Sequence, residues 1–380
     1  MSGAPDRPAA LVEIVDRRDL PRCEDAWRDL AARAGEPNAF AEPEFLIPAL
    51  QRLASPRIRA LLVWRDAERQ SLIGLAAVAA PRLPFGLAAL WRSEQAGLPA
   101  ALFDRAAGVE ALAAIVAAIR AWRPRPVGLR LPFAIADGSI AAAAAALAAR
   151  DRLTLWDAHR RSRAALILGG KADFDARLDK RRRKEWSRQR RRLEELGPVE
   201  SRVGADAAAI EAFLAVEKSG WKGARGSALD AHAARASFAR EALAGFAARD
   251  RLEIHTLTLK GEPIAAAVAL HSGDRAFYWK TAYDERFAAF SPGVQVTLDL
   301  SRRLEREPGL ALADSCAIAD HPMIDRAWRD RIELVDLALS LGMGSGAAFT
   351  LAAGAAHEVE RIKRRGRRLV NAVKARLPRA

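Results

Sequence analysis

At 380 residues the chain is too long for one ordinary compact core and suggests two domains of moderate size, and with 51% apolar residues it is globular. The formal net charge of +14 is local: residues 177–192 hold ten Lys/Arg against two acids and residues 357–380 hold nine against two, leaving about -1 for the rest, so an acidic partner is to be sought at those two segments. Cys23 and Cys316 stand far apart in sequence, which argues against a disulfide framework or a zinc site, and no metal is expected.

The N-terminus shows no charged-then-apolar signal pattern, and no uncharged apolar run of about eighteen residues occurs, so a cytoplasmic protein is expected. In the first half, residues 57–82 (RIRALLVWRDAERQSLIGLAAVAAPR) read as strand, polar turn and small-residue strand. The run SIAAAAAALAAR, residues 139–150, reads as an ordinary surface helix. Next comes a basic helix on which Leu178, Trp186, Leu193 and Leu196 share one stripe, with Gly197-Pro198 as its stop.

Helical runs at 206–216 and 232–248 precede the clearest strand block. Its three strands, about 252–259, 264–270 and 275–282, are separated by turns short enough to permit only antiparallel neighbours. A helix at 292–306 and a short strand in LALADSC follow. Helices, an antiparallel meander, a helix and a return to the sheet describe a layered α/β domain spanning roughly 166–345. GLAAVA at 74–79 is similar to IAAAVAL at 264–270, which suggests a duplicated unit. In the tail, Val359, Ile362, Leu369, Val370, Val373 and Leu377 fall at helical spacing with arginines opposite, a pattern that suits either an anionic membrane surface or the protein's own body.

Ser291-Pro292-Gly293 looks like a helix start: Ser291 can cap, Pro292 suits the first position, and Gly293 keeps a side chain out of the way. Free amides and the helix dipole there would receive phosphate. With VEKSGWKGARGSA (216–228), KTAYDERFAAFSPG (280–293) and DSCAIADHPMIDRAWRDR (314–331), this order of elements resembles the GNAT acyltransferase superfamily, and in detail its FemAB-like branch, often labelled CelD-like acetyltransferases of cellulose biosynthesis. The first half resembles a second, degenerate unit by its hairpin alone.

The resemblance implies tandem GNAT-like units, each a mostly antiparallel mixed sheet flanked by helices: residues 1–165 degenerate, 166–345 active, and 346–380 a basic amphipathic tail. It also implies acyl transfer from acetyl-CoA or another acyl-CoA to an amine, with Ser291, Pro292 and Gly293 at the pyrophosphate. The superfamily's glycine-rich loop, Q/R-x-x-G-x-G/A, is absent, and relatives in this branch use aminoacyl-tRNA as donor. Acyl transfer needs donors for the thioester carbonyl, a base for the ammonium and an acid for the thiolate. Strand backbone can supply the first; Asp284 and His321 are candidates for base or amine contact, and Tyr283 for acid.

Glu217, Trp221, Lys222, Lys280 and Asp314 are candidate substrate contacts, with the indole as a pocket wall and Lys222 meeting a carboxylate or phosphate. Each has a plainer reading: Asp284 and Glu285 as solvated loop charges, His321-Pro322 as a turn, Trp221 packed beneath a helix end. Asp314, Ser315 and His321 do not make a hydrolase triad, because no G-x-S-x-G elbow surrounds Ser315. The rival readings are aminoacyl transfer with tRNA on the 177–192 helix, and a non-catalytic scaffold of polysaccharide synthesis. An envelope precursor as acceptor would suit a tail, residues 357–380, lying against the inner face of the membrane.

Overall fold

The structure, a computed structural model, describes residues 10–170, 173–220, 226, 228–342 and 346–376, with side chains of the last helix described at 346–362, 365 and 366. The first half runs β1 (Leu11–Val15), α1 (Glu24–Arg33), α2 (Pro43–Arg52), β2 (Ile58–Trp64), β3 (Leu72–Ala79), β4 (Leu87–Leu90), β5 (Ala101–Phe103), α3 (Gly108–Arg120), β6 (Gly128–Ile135), α4 (Ser139–Asp151) and β7 (Leu155–Ile167). The second half runs α5 (Phe174–Arg177), α6 (Lys180–Glu194), β8 (Val199–Gly204), α7 (Ala207–Ser219), α8 (Ala233–Ala247), β9 (Leu252–Leu259), β10 (Glu262–Ser272) and β11 (Arg275–Tyr283). It continues through α9 (Pro292–Glu305), β12 (Leu312–Asp314), α10 (Ile324–Ala327), β13 (Asp330–Ser340) and α11 (Gly346–Arg376).

The predicted meander forms as β9, β10 and β11, antiparallel throughout. Both faces of this sheet are covered, which explains the apolar, alanine-rich middle of β10: Ala265, Ala267 and Ala269 pack with α9, while Ala266, Val268 and Leu270 pack with α7 and α8. The hairpin predicted in the first half forms as β2 and β3.

All strands join one mostly antiparallel sheet, ordered β1-β2-β3-β4-β6-β13-β7-β12-β11-β10-β9-β8, with β5 on β3. Its two parallel pairs, β4 with β6 and β11 with β12, occupy matching places. Each follows a hairpin and is bridged by a crossover helix, α3 in one half and α9 in the other. The repeated unit foreshadowed by GLAAVA and IAAAVAL is thus a repeated topology. The halves are also threaded together: β13, last in the chain, lies between β6 and β7.

Trp186, Leu193 and Leu178 seat α6 on the sheet as predicted, but Leu196 does not join them, being 43% exposed beyond the helix end. The tail is helical through Gly366, and its first turns dock through Phe349 and Ala353.

Candidate active site

β11 pairs with β12 only from Arg275 to Phe277, and then runs on to Tyr283 with no strand on that edge among the described residues. That stretch of β11 has one edge along which an extended ligand could lie. Within it sits a bulge: Val268 faces Lys280 and Ala269 faces Tyr278, so Trp279 is the extra residue with no partner on β10. The bulge shifts the side-chain alternation, which is why Tyr278 and Thr281, three apart, meet on one face.

Tyr278 is buried and its hydroxyl lies 2.7 Å from Thr297 Oγ1 of α9. Thr297 in turn bonds the Gly293 carbonyl at 2.7 Å, and Thr281 bonds the Tyr278 oxygen from the strand. A line of three hydroxyls thus fastens the first turn of α9 to the bulged strand, and burial pushes the Tyr278 phenol up to about 12, so it stays protonated. Sequence reasoning passed over Tyr278 and Thr297; the dense aromatic and polar run FYWKTAY was the available signal.

Helix α9 begins where β11 leads. Pro292 occupies its first position as predicted, but Ser291 does not cap with its side chain. Ser291 adopts φ +51°, and its carbonyl accepts from Val294 (2.9 Å) and Gln295 (3.1 Å). Gly293 is needed for close approach, since a Cβ there would lie 3.1 Å from the Tyr283 ring. Tyr283 therefore stands against the start of α9. The end of α7 meets the same point, a Cβ on Gly220 lying 3.0 Å from the Tyr283 carbonyl. Glu217, buried in that helix, accepts from the Leu229 N–H at 2.8 Å. Lys280 lies 5.3 Å from the Trp279 ring. Trp221 and Lys222 lie outside the described residues.

Three candidates acquire other tasks. The Asp284 carboxylate caps the turn Glu285–Phe290 through the Arg286 N–H (3.0 Å) and grips the Arg286 guanidinium (2.6 Å). That pairing holds it below the usual carboxylate range, which makes it a poor base. His321 caps α10: its Nδ1 accepts from Met323 and Ile324 at 3.4 Å each. Burial lowers its pKa, and a neutral ring accepting at Nδ1 keeps its proton on Nε2, leaving no free basic nitrogen. Asp314 is buried in the sheet, paired with buried Arg163 of β7 and accepting from the Cys316 N–H at 2.9 Å. It ties β12 to β7.

The first half also contacts this region. Trp279 Nε1 donates to the Gln95 carbonyl (2.6 Å) and Arg163 to the Gly97 carbonyl (2.9 Å). A Cβ on Gly97 would lie 2.7 Å from Cys316 Sγ, so only glycine fits there. Beside α9 lies α6, joined by Gln295 Nε2 to the Trp186 carbonyl (2.9 Å). Between the two helices is a groove of about 590 Å³ lined by Arg183, Arg190, Arg191 and Arg302 together with Asp299, where Arg190 pairs with Glu194 and Asp299, and Arg302 with Asp175 and Asp299. Arg192 reaches toward the turn before α9, 5.8 Å from the Phe290 ring. The bulged strand, the start of α9 at its end and the arginines of α6 and α9 thus stand next to one another.

Residues 180–321 match the family described as acetyltransferase (GNAT) domain. No curated protein matches the chain at a significant level. Among solved structures it is similar to FemX, at 11% identity over 86% of this chain and 96% of that one, with a TM-score of 0.52. It is similar too to the C-terminal domain (DUF2156) of a putative lysylphosphatidylglycerol synthetase from Agrobacterium fabrum, at 11% identity over 88% and 96% of the two chains, TM-score 0.53. A third is a conserved protein of unknown function from Bacteroides thetaiotaomicron, at 9% identity over 87% and 99%, TM-score 0.50. The chain thus shares its fold with these structures, and its residues 180–321 match the acetyltransferase (GNAT) domain model.

Proposed function

We propose that the chain is an N-acyltransferase whose second unit is the active one, taking an acyl group from acyl-CoA to an amine on a cell-envelope or exopolysaccharide precursor. The observation that carries this reading is the bulge at Trp279 on the open edge of β11, followed directly by the start of α9. Strand backbone there would hold the thioester carbonyl and the amide-rich arm of the donor. The Gly293 N–H at the start of α9 would receive the pyrophosphate, with Ser291 and Pro292 beside it, and Arg192 adds positive charge nearby. The amine nitrogen attacks the carbonyl carbon, its C–N bond forms as the C–S bond breaks, and the thiolate takes a proton from Tyr283.

With Asp284 and His321 occupied as caps, the amine's proton leaves through water, and Glu217 and Lys280 orient the acceptor. A second reading, aminoacyl transfer from tRNA, is favoured by the arginine-lined groove between α6 and α9 and by the absent glycine-rich loop. It places the acceptor arm of the tRNA along α6.

Calorimetry with acetyl-CoA, a long-chain acyl-CoA and CoA, on wild type and Gly293→Glu, separates the two. Binding to wild type that falls at least about tenfold in the variant, with thermal melting showing both folded, supports the CoA donor. A folded wild type that binds none of the three overturns it, and salt-dependent binding of tRNA then supports the second reading.

A further inference from the structure

The turn between β3 and β4 exposes Arg82, Leu83, Pro84 and Phe85 together, with Leu83 71% and Phe85 64% accessible. Phe85 holds φ +60°, a backbone region costly for a bulky side chain, so the ring is kept out of the core against local preference. Its N–H bonds the Arg125 carbonyl at 2.9 Å, which places the turn beside the exposed Arg123 and Arg125. No acid occurs in 80–92 or 121–130.

Helix α11 docks at this same corner. Gly128, at the start of β6, faces both Leu87 and the Phe349 ring, and the Val127 N–H bonds the Gly86 carbonyl at 3.0 Å. Beyond Phe349 and Ala353 the helix turns apolar residues outward: Leu351 is 75% and Ile362 64% exposed. Those two, eleven positions apart, lie on one line roughly opposite the docked residues, and helical spacing continues the line to Leu369 and Val373. Between Ile362 and Leu369 the sequence carries Lys363, Arg364, Arg365, Arg367 and Arg368, and residues 357–380 carry +7. At 31 residues the helix is about 46 Å long.

We propose that this corner is a docking surface for an anionic lipid bilayer, with the Leu83–Phe85 turn inserting between headgroups and α11 lying in the interface. Charge complementarity selects the lipid: apolar side chains framed by arginines, with no acid in the turn and two in the tail, match an anionic headgroup layer over an acyl boundary. Neither element suffices alone, since the turn is short and the tail has few apolar residues. Together they supply the two signals that stable peripheral binding requires. The inference does not depend on the donor or on catalysis.

The test is co-sedimentation of the full chain with phosphatidylcholine vesicles, with and without about a third phosphatidylglycerol. Wild type should bind the anionic vesicles, bind plain ones at least about tenfold less, and release at high salt. Leu83→Asp with Phe85→Asp, and separately Leu351→Glu with Ile362→Glu, should each weaken partition about tenfold without changing the melting temperature. Should the first pair fold poorly, Leu83→Cys carrying a polarity-sensitive dye gives the second measurement: a blue shift on anionic vesicles only. Overturning results are no preference for the anionic lipid, an unshifted dye, or partition indifferent to the turn. So are a stable dimer burying the turn, and displacement from vesicles by tRNA that the turn variants leave unaffected.

Discussion

Glu36, 5% exposed where the halves meet, accepts the Ser139 N–H at the start of α4 (3.0 Å). Burial raises its carboxyl to about 7, although Arg275 and that N–H pull the other way. The folded state therefore holds the proton more tightly than the unfolded chain, whose ordinary value is 4.5. The stability contributed by the neutral form is complete below about pH 4.5 and is lost as pH rises through 7. Glu36→Gln, which imitates the neutral acid, should stabilise the protein by up to roughly 3 kcal/mol at pH 8 and hardly at all at pH 4.5. Urea unfolding at both values measures it, and an equal effect at each would remove the titration from the explanation. Residue roles of this kind were the least legible in the sequence. Asp314 resembled a site residue because it ends a strand, but its partner Arg163 lies 151 positions away. Asp284 and His321 were singled out by chemistry and turned out to be caps, a local backbone task that any such side chain near a turn can perform.

At the scale of elements, the joint between β11 and α9 rests on Tyr278, Thr281 and Thr297. Thr297→Val leaves the Tyr278 hydroxyl with one partner fewer and should cost roughly 1–2 kcal/mol; Tyr278→Phe should cost about the same. Because the two hydroxyls share one bond, the double variant should cost less than the sum by at least about 0.5 kcal/mol in urea unfolding. Additivity would mean that the hydroxyl line is incidental. The meander, its turns and α9 were readable beforehand because each rests on local signals, among them Lys260-Gly261, Ser272-Gly273-Asp274 and a proline at the first helical position. The bulge at Trp279 was not readable, since one extra residue leaves no break in the mixed aromatic and polar run FYWKTAY. The face shared by Tyr278 and Thr281 shows it only once the register is known.

At the scale of the whole molecule, concentration of the charge in α6 and α11 could be read from composition, and the repeat from two hairpins, but their threading could not. β13 lies between β6 and β7, and its Val335, Leu337 and Leu339, with Leu341 just beyond, belong to the core of the first half, together with α3 and α4. Pairing between segments some 200 residues apart leaves no local mark. It does have a thermodynamic consequence. Removing those four buried side chains takes away roughly 6–12 kcal/mol of burial, as much as an ordinary domain's whole stability. It also exposes the pairing edges of β6 and β7. Residues 1–165 expressed alone should therefore be unfolded or aggregated, with no cooperative melt by circular dichroism. The same fragment carrying residues 328–342 on a flexible linker should melt cooperatively, because only the missing strand has been returned. A cooperative melt from 1–165 alone would show that the first unit closes its own sheet, and that β13 binds it as a late addition rather than as part of its core.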